Sequence, residues 1–419
     1  MNLFKGLFGK KSDREEILQQ RQVEPRFTPD DPDFIEDPYS YFDALREVSP
    51  VYRSDSGAWV LTSYNFVEAA LNDPRLGNAP SKYATVGIRN KDRYTCANVA
   101  NNLIAFMDAP RHGDPRRIIS RAFHRYMRAG LPDLNEIASH SLNHLKNNQP
   151  IEFITEFATP YSLSVVSKIF GIPSEDELRL KIWTNTFFYL FTQIPSVAIR
   201  NRLDQSLQEF RSYLGDQVRD RRKEPRGDFL SELITMNDSE ESLTETELID
   251  NALLVLADGV ENVDSGIANM LVCMIQNPEI YQGLNDSPDS VSRAVNECLR
   301  FESPAQFIGR VALEDIEIGG YQIKENEPIF LVLAAANRDP EYYSDRNSFK
   351  TTRSNQTHLS FGRGKHSCLG GALVKMQMEA ALSEISRKYK VIRSLEDRFA
   401  WQFRLGHRWL DRLKIEFES

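Results

Sequence analysis

The chain has 419 residues, 41% of them hydrophobic and 26% charged, with a formal net charge of -9. This composition is globular and ample for a buried core. The acidic balance argues against a nucleic-acid partner, and no apolar run approaches the roughly 18–20 residues that cross a bilayer.

The four cysteines, Cys96, Cys273, Cys298 and Cys368, are scattered without paired spacing. That argues for a reducing, cytoplasmic setting and against a disulfide framework or structural zinc. Residues 1–30 read as an N-terminal tail, and 31–419, which no linker or repeat divides, as one domain. The first eleven residues are basic and carry Leu3, Phe4, Leu7 and Phe8. They read as a flexible or loosely docked tail, or as a weak amphipathic turn at a membrane surface.

Tyr39, Phe42, Leu45 and Val48 recur at helical spacing and predict a helix over 39–48. Strands follow at 50–53 and 58–62 around Asp55-Ser56-Gly57, then a short helix over 64–71. Residues 73–101 have little periodicity and read as a long functional loop. A helix opening at Asp108 and running to about Met127 carries Arg111, Arg116, Arg117, Arg121, Arg125 and Arg128. Those arginines form a solvated basic face or a docking patch for an acidic partner. Helices are predicted over 131–147, 153–170, 175–192, 197–222 and 228–236. The aromatic run Trp183, Phe187, Phe188, Tyr189 and Phe191 is either core packing or the roof of an apolar pocket.

Residues 244–276 give the longest helical pattern, yet its centre, Ala257-Asp258-Gly259-Val260-Glu261-Asn262, is polar. Gly259 permits a kink or bulge there. A helix over 289–301 sets Glu297 and Arg300 three apart on one face. Short strands follow at 315–318, 321–323 and 327–333, with Gly319-Gly320 as a hairpin turn. After a last long helix ending near Tyr389, residues 403–417 read as a terminal hairpin whose tip at His407 reaches a pocket. The run Phe361 to Gly370 puts one cysteine at the end of a glycine-rich loop, directly before that last helix. A thiol at a helix start faces unpaired N–H groups, which favours the thiolate. A single thiolate so offered suits haem iron; the other reading is a buried structural cysteine.

Phe361-Gly362-x-Gly364-x-His366-x-Cys368-x-Gly370 resembles the haem-binding loop of the cytochrome P-450 family, with every fixed position filled. The resemblance runs from about Asp37 to the C-terminus. It implies a mainly α fold with a smaller β-rich region, a triangular helical core sandwiching haem b. Cys368 is then the axial iron ligand, and His112, Arg116, Arg310 and His366 hold the propionates, with Phe361 and Gly370 also against the cofactor. Glu261 stands at the acid position of the family's distal small-Gly-x-acid-Thr segment, and Asn262 stands where threonine is usual. Both are the expected catalytic pair, managing water and protons, although an amide is not an easy proton relay. Ala257, Val260, Ala305, Gln306, Phe307 and His407 are expected to line the substrate pocket. Glu297, Arg300 and Arg353 are expected to brace the cysteine loop without doing chemistry.

The function implied is a monooxygenase that hydroxylates or epoxidises a small organic substrate in bacterial specialised metabolism. No flavin or dinucleotide motif is present, so electrons would come from a ferredoxin and its NAD(P)H-dependent reductase; a carrier protein could present the substrate. Two other classes share the site: oxidative radical coupling or peroxide-driven oxidation, and a non-catalytic haem sensor or carrier.

Overall fold

Residues 24–419, other than Tyr83, Gln193, Pro195 and Glu241, are described by the structure, a computed structural model. The basic, apolar N-terminal stretch lies outside the described residues. Phe27, assigned above to the tail, instead packs its ring 5.2 Å from those of Phe307 and Phe330.

Helix α1 (Pro38–Val48) starts where proline loses nothing by lacking an N–H, and the Asp37 side chain accepts from the Ser40 amide. Strands β1 (Val51–Arg53) and β2 (Trp59–Leu61) pair antiparallel, and α2 (Tyr64–Asn72) follows. The expected loop over 73–101 is partly ordered, as β3 (Leu76–Gly77) and α3 (Thr95–Asn102). Helix α3 buries Cys96, Ala97, Val99 and Ala100, mostly small side chains that print a weak periodic signal. Helix α4 (Gly113–Ala129) carries the arginines other than Arg111, and α5 (Leu134–Ser141) ends before the predicted 147. Strand β4 (Ile151–Glu152) leads to α6 (Thr159–Phe170) through a π segment, Ile154–Ala158, because Pro160 cannot donate back to the preceding turn.

Helices α7 (Glu177–Phe187), α8 (Val197–Lys223) and α9 (Phe229–Glu240) surround α10 (Glu245–Gln276), which a Thr244–Glu247 capping box starts. Helix α11 (Ser290–Phe301) precedes β5 (Ile308–Ala312), β6 (Ile316–Ile318), β7 (Tyr321–Ile323) and β8 (Pro328–Leu331). The main sheet runs β1-β2-β8-β5-β3. Gly319 and Gly320, with φ of 59° and 82°, make the tight β6–β7 turn that the sequence predicts. Helix α12 (Gly371–Lys388) follows the cysteine loop. The terminal hairpin is not 403–417. Strand β9 (Val391–Ser394) pairs with β10 (Lys414–Glu418), and the wide loop between them is pinned by the bridges Ala305↔His407 and Trp401↔Leu410.

Helix α10 is α-helical throughout; the expected kink is absent. Gly259 serves a different end, since a Cβ there would lie 2.8 Å from Val166 of α6. Between Asp250 and Met274, only Val255, Asp258, Gly259 and Asn262 are not fully enclosed. Their spacing puts them on one helix face, so that face borders open space inside the protein. No described helix is long and apolar enough to cross a membrane. The cysteines are free, yet the fold brings the thiols of Cys273 and Cys298 within hydrogen-bonding reach.

The cysteine loop is held from behind. Glu297 Oε1 and Oε2 accept from Arg300 at 2.7 and 2.8 Å, and Oε1 also accepts from Arg353 Nε at 2.9 Å and the Lys350 amide at 2.8 Å. Arg300 donates onward to the carbonyls of Asn337 and Arg346, and Arg353 to those of Ser344, Asp345 and Ser348. Asn337 Oδ1 then accepts from the Leu359 amide at 2.7 Å, two residues before Phe361. The Glu297→Ala variant leaves two buried guanidinium groups without their carboxylate. It is expected to lose about 3–5 kcal/mol, read by denaturant unfolding.

Candidate active site

Gly362 and Gly364 take φ of 64° and 70°, a region that side chains rarely adopt, and so turn the loop under its cysteine. At Gly364 a Cβ would also lie 2.9 Å from the Leu71 carbonyl, which fixes the loop against the end of α2. The Cys368 amide donates to the Phe361 carbonyl at 2.8 Å, and Arg116 Nη2 donates to the Ser367 carbonyl at 2.7 Å. Gly371 packs on the Phe361 ring, while a Cβ on Gly370 would meet no protein atom within 4 Å. Cys368 is accessible although protein surrounds it; its accessible surface opens on an internal slot.

The amides at the helix start do favour the thiolate, as the sequence suggests, but burial works against them. Burial, reinforced by the charge of Asp258, pushes the Cys368 thiol up to about 12, against the amides of Gly370 and Gly371 and the charge of Arg116. A metal ion supplies what these groups lack.

The open face of α10 forms the facing wall. Asn262 Nδ2 donates to Asp258 Oδ1 at 2.8 Å, and Asn262 Oδ1 is buried without a donor. Glu261 points elsewhere, accepting from Thr184 Oγ1 at 2.8 Å and Asn185 Nδ2 at 3.3 Å. Burial raises its carboxyl, opposed by these bonds and by Arg404, which itself donates to the Asn185 carbonyl. Ala257 and Val260, expected in the pocket, are fully buried off the open face. Asp258 was missed as a site residue; its signal was a carboxylate one turn before Asn262 in the middle of an apolar helix.

At one end of the loop four cationic or basic side chains converge. The rings of His112 and His366 stack at 3.9 Å. Burial, then the charges of His112, Arg310 and Arg116, drive His366 down to about 3. Burial lowers Arg310 to about 10, and its recorded donor contact is the Gly309 carbonyl beside it. His112 is also lowered, by burial and Arg116, and its Nε2 is buried with no partner. One carboxylate, Asp108, acts on His112 and Arg310, so basic groups outnumber anions in this corner. Two carboxylates on the edge of a flat group, with its metal on Cys368, fit it, and the haem propionates have this chemistry.

The remaining expected pocket residues divide. Ala305 and His407 are bridged backbone to backbone. The His407 ring lies 5.8 Å from Phe188 and 4.8 Å from Trp409, and burial lowers its pKa to about 4. Gln306 points away, donating to the Ser303 carbonyl, and Phe307 packs into the cluster with Phe27 and Phe330. Trp183 stacks on Phe210 as core, whereas Phe187, Phe188 and Phe191 pack together and Phe191 meets Phe106 across the fold. Arg111, just before α4, and Arg117, Arg121 and Arg125 on it are ion-paired with Glu247, Glu240 and Glu232. This removes most of the basic patch that the sequence suggested.

One turn beyond Glu261, Asp264 is buried, accepting from Thr159 Oγ1 at 2.8 Å. Burial and the neighbouring Glu261 raise it to about 8. The unfolded chain releases this proton near pH 4, and the folded chain keeps it to about pH 8, so net stability falls as pH rises across that window. Asp264→Asn keeps the acceptor and abolishes the titration. Its melting temperature is expected to gain on the parent's steadily from about pH 5 to about pH 8.

The family model described as Cytochrome P450 matches residues 47–399. The biotin biosynthesis cytochrome P450 of Bacillus subtilis (strain 168) is 33% identical over 396 residues, 92% of this chain and 98% of the relative. The mycinamicin IV hydroxylase/epoxidase of Micromonospora griseorubida is 30% identical, over 83% of this chain and 87% of the relative. The crystal structure of P450BioI in complex with hexadec-9Z-enoic acid ligated acyl carrier protein superimposes with a TM-score of 0.83 at 30% identity, covering 92% of this chain and 99% of that one. Fold, cysteine loop and full-length likeness agree: the chain belongs to the cytochrome P450 family.

Proposed function

We propose that this P450 monooxygenase hydroxylates or epoxidises a small organic molecule in a bacterial biosynthetic pathway. Its electrons come from a separate ferredoxin and an NAD(P)H-dependent reductase in the cytoplasm. The observation that carries the reading is the opposition of Cys368 and the open face of α10 across one slot that ends in a corner rich in basic groups. The cofactor is haem b with Cys368 as axial ligand; when bound, it supplies the activation of dioxygen.

The chain's own residues do the rest. Cys368 holds the iron, Phe361 and Gly370 leave room for the ring, and His112, Arg116, Arg310 and His366 bind the propionates. Asp258 and Asn262 overhang the far side and set the polarity where substrate meets the cofactor. Glu261, on the next face of α10, connects through Asn185 and Arg404 to the rim of the molecule and is placed to exchange protons there. Ala305 and His407 bound the substrate space from the sheet and the C-terminal loop. The relative solved with an acyl carrier protein supports a carrier-borne substrate as one form in which the molecule arrives.

A second reading has one specific support. Asn262, in the place of the usual threonine, spends its amide donor on Asp258 and so is a poor proton relay. Radical coupling of two substrate molecules makes less demand on such a relay.

Reduced protein under carbon monoxide is expected to show the red-shifted absorption of sulfur-bound haem, and Cys368→Ser to lose it. With a reductase system and a panel of candidate substrates, product mass is expected to rise by one oxygen atom. A dimer less two hydrogens establishes coupling instead, and a wild-type spectrum without the red shift overturns both.

A further inference from the structure

We infer that the substrate carries a positive charge, as a protonated or quaternary amine, and that Asp258 is the residue that pairs with it. This rests on the monooxygenase reading, because it places the ligand in the same slot.

Asp258 is the one charged residue on the open face of α10. The side-chain donor recorded for its carboxylate is Asn262 Nδ2, at 2.8 Å on Oδ1. No ion pair to it is found among the described residues. Most other enclosed acids of this chain are ion-paired, and Asp339, which is not, accepts from the amides of Tyr64 and Glu341. Asp250 has Arg211, Asp228 has Arg221, Glu297 has Arg300 and Arg353, and Glu302 has Arg338 and Arg408. Glu261 has the charge of Arg404. Asp264 has no ion pair, but Arg404 responds to its charge, the hydroxyls of Thr159 and Ser265 answer it, and it lies off the open face.

The basic corner does not serve Asp258. Apart from burial, Arg116 responds to Cys368, and Arg310 to Asp108. What faces Asp258 across the slot is the Cys368 sulfur, which responds to its charge and offers no cation. Burial raises the Asp258 carboxyl to about 6, and the one bond that opposes this comes from Asn262. A carboxylate facing an enclosed space at such a cost calls for a partner. The other buried acids are answered by arginines, hydroxyls or backbone amides from within the protein; Asp258, facing the slot with one amide donor, is left for the ligand.

The test compares two probes on cofactor-loaded protein by equilibrium dialysis at neutral pH: phenylbutyltrimethylammonium and its uncharged carbon isostere, in which a quaternary carbon replaces the nitrogen. The quaternary nitrogen has no lone pair and cannot ligate the iron. Wild type is expected to bind the cation at least about tenfold more tightly. Asp258→Asn is expected to abolish that preference and Asp258→Glu to retain part of it. Equal affinities in wild type, or a preference that survives in Asp258→Asn, overturn the inference; the wild-type comparison decides even if a variant fails to fold. The carbon-monoxide spectrum of the same preparation separates the two levels. A missing sulfur-bound band overturns the monooxygenase reading. A normal band without cation preference overturns the pairing with Asp258 alone.

Discussion

Glu297 is the point on which the cysteine loop depends. Three charges withdrawn from water are stable only if every donor and acceptor among them is answered. Here the carboxylate takes two guanidinium groups and a backbone amide, and the guanidinium groups spend their other donors on carbonyls of the segment leading to the loop. The result is an irregular stretch with the definition of a helix or strand but without their repeating bonds. Asn337 extends it to Leu359, and the glycines at 362 and 364 deliver Cys368 into the slot.

The slot is bipolar. Its one end concentrates His112, His366, Arg116 and Arg310, each driven towards its uncharged form by burial and some by one another. Its far wall, on α10, presents a carboxylate, with two more on the following turn. A single helix thus carries acids with different fates. Glu261 is turned to Arg404 and the rim, Asp264 is sealed under hydroxyls, and Asp258 looks into open space.

Much of this was legible in the residues. The loop from Phe361 to Gly370 could be read because its glycines and its cysteine are each demanded by local geometry. Glu297 and Arg300 stand at helical spacing, but their bracing role, and Arg353 as their partner, were implied by the family resemblance and not by that spacing. The elements that escaped are those with weak local signals: α3, built on small side chains, and the wide loop before β10, whose shape depends on Ala305 and Trp401 far away in the chain. Four of the expected pocket residues point elsewhere for a related reason. Ala257 and Val260 look like lining by composition, but which face of α10 is open is decided by α6, α7 and α8 packing on the others. Gln306 and Phe307 went to Tyr39, Ser303 and Phe27, contacts that periodicity does not encode.

The stacked imidazoles of His112 and His366, crowded by arginines, make newly made polypeptide uncomfortable with itself until a dianionic ring arrives. A ligand that binds only the folded chain stabilises it with the logarithm of its free concentration. Filling that corner with two carboxylates is therefore a folding contribution as well as a binding one: the cofactor site is the part of the fold that gains most from being occupied.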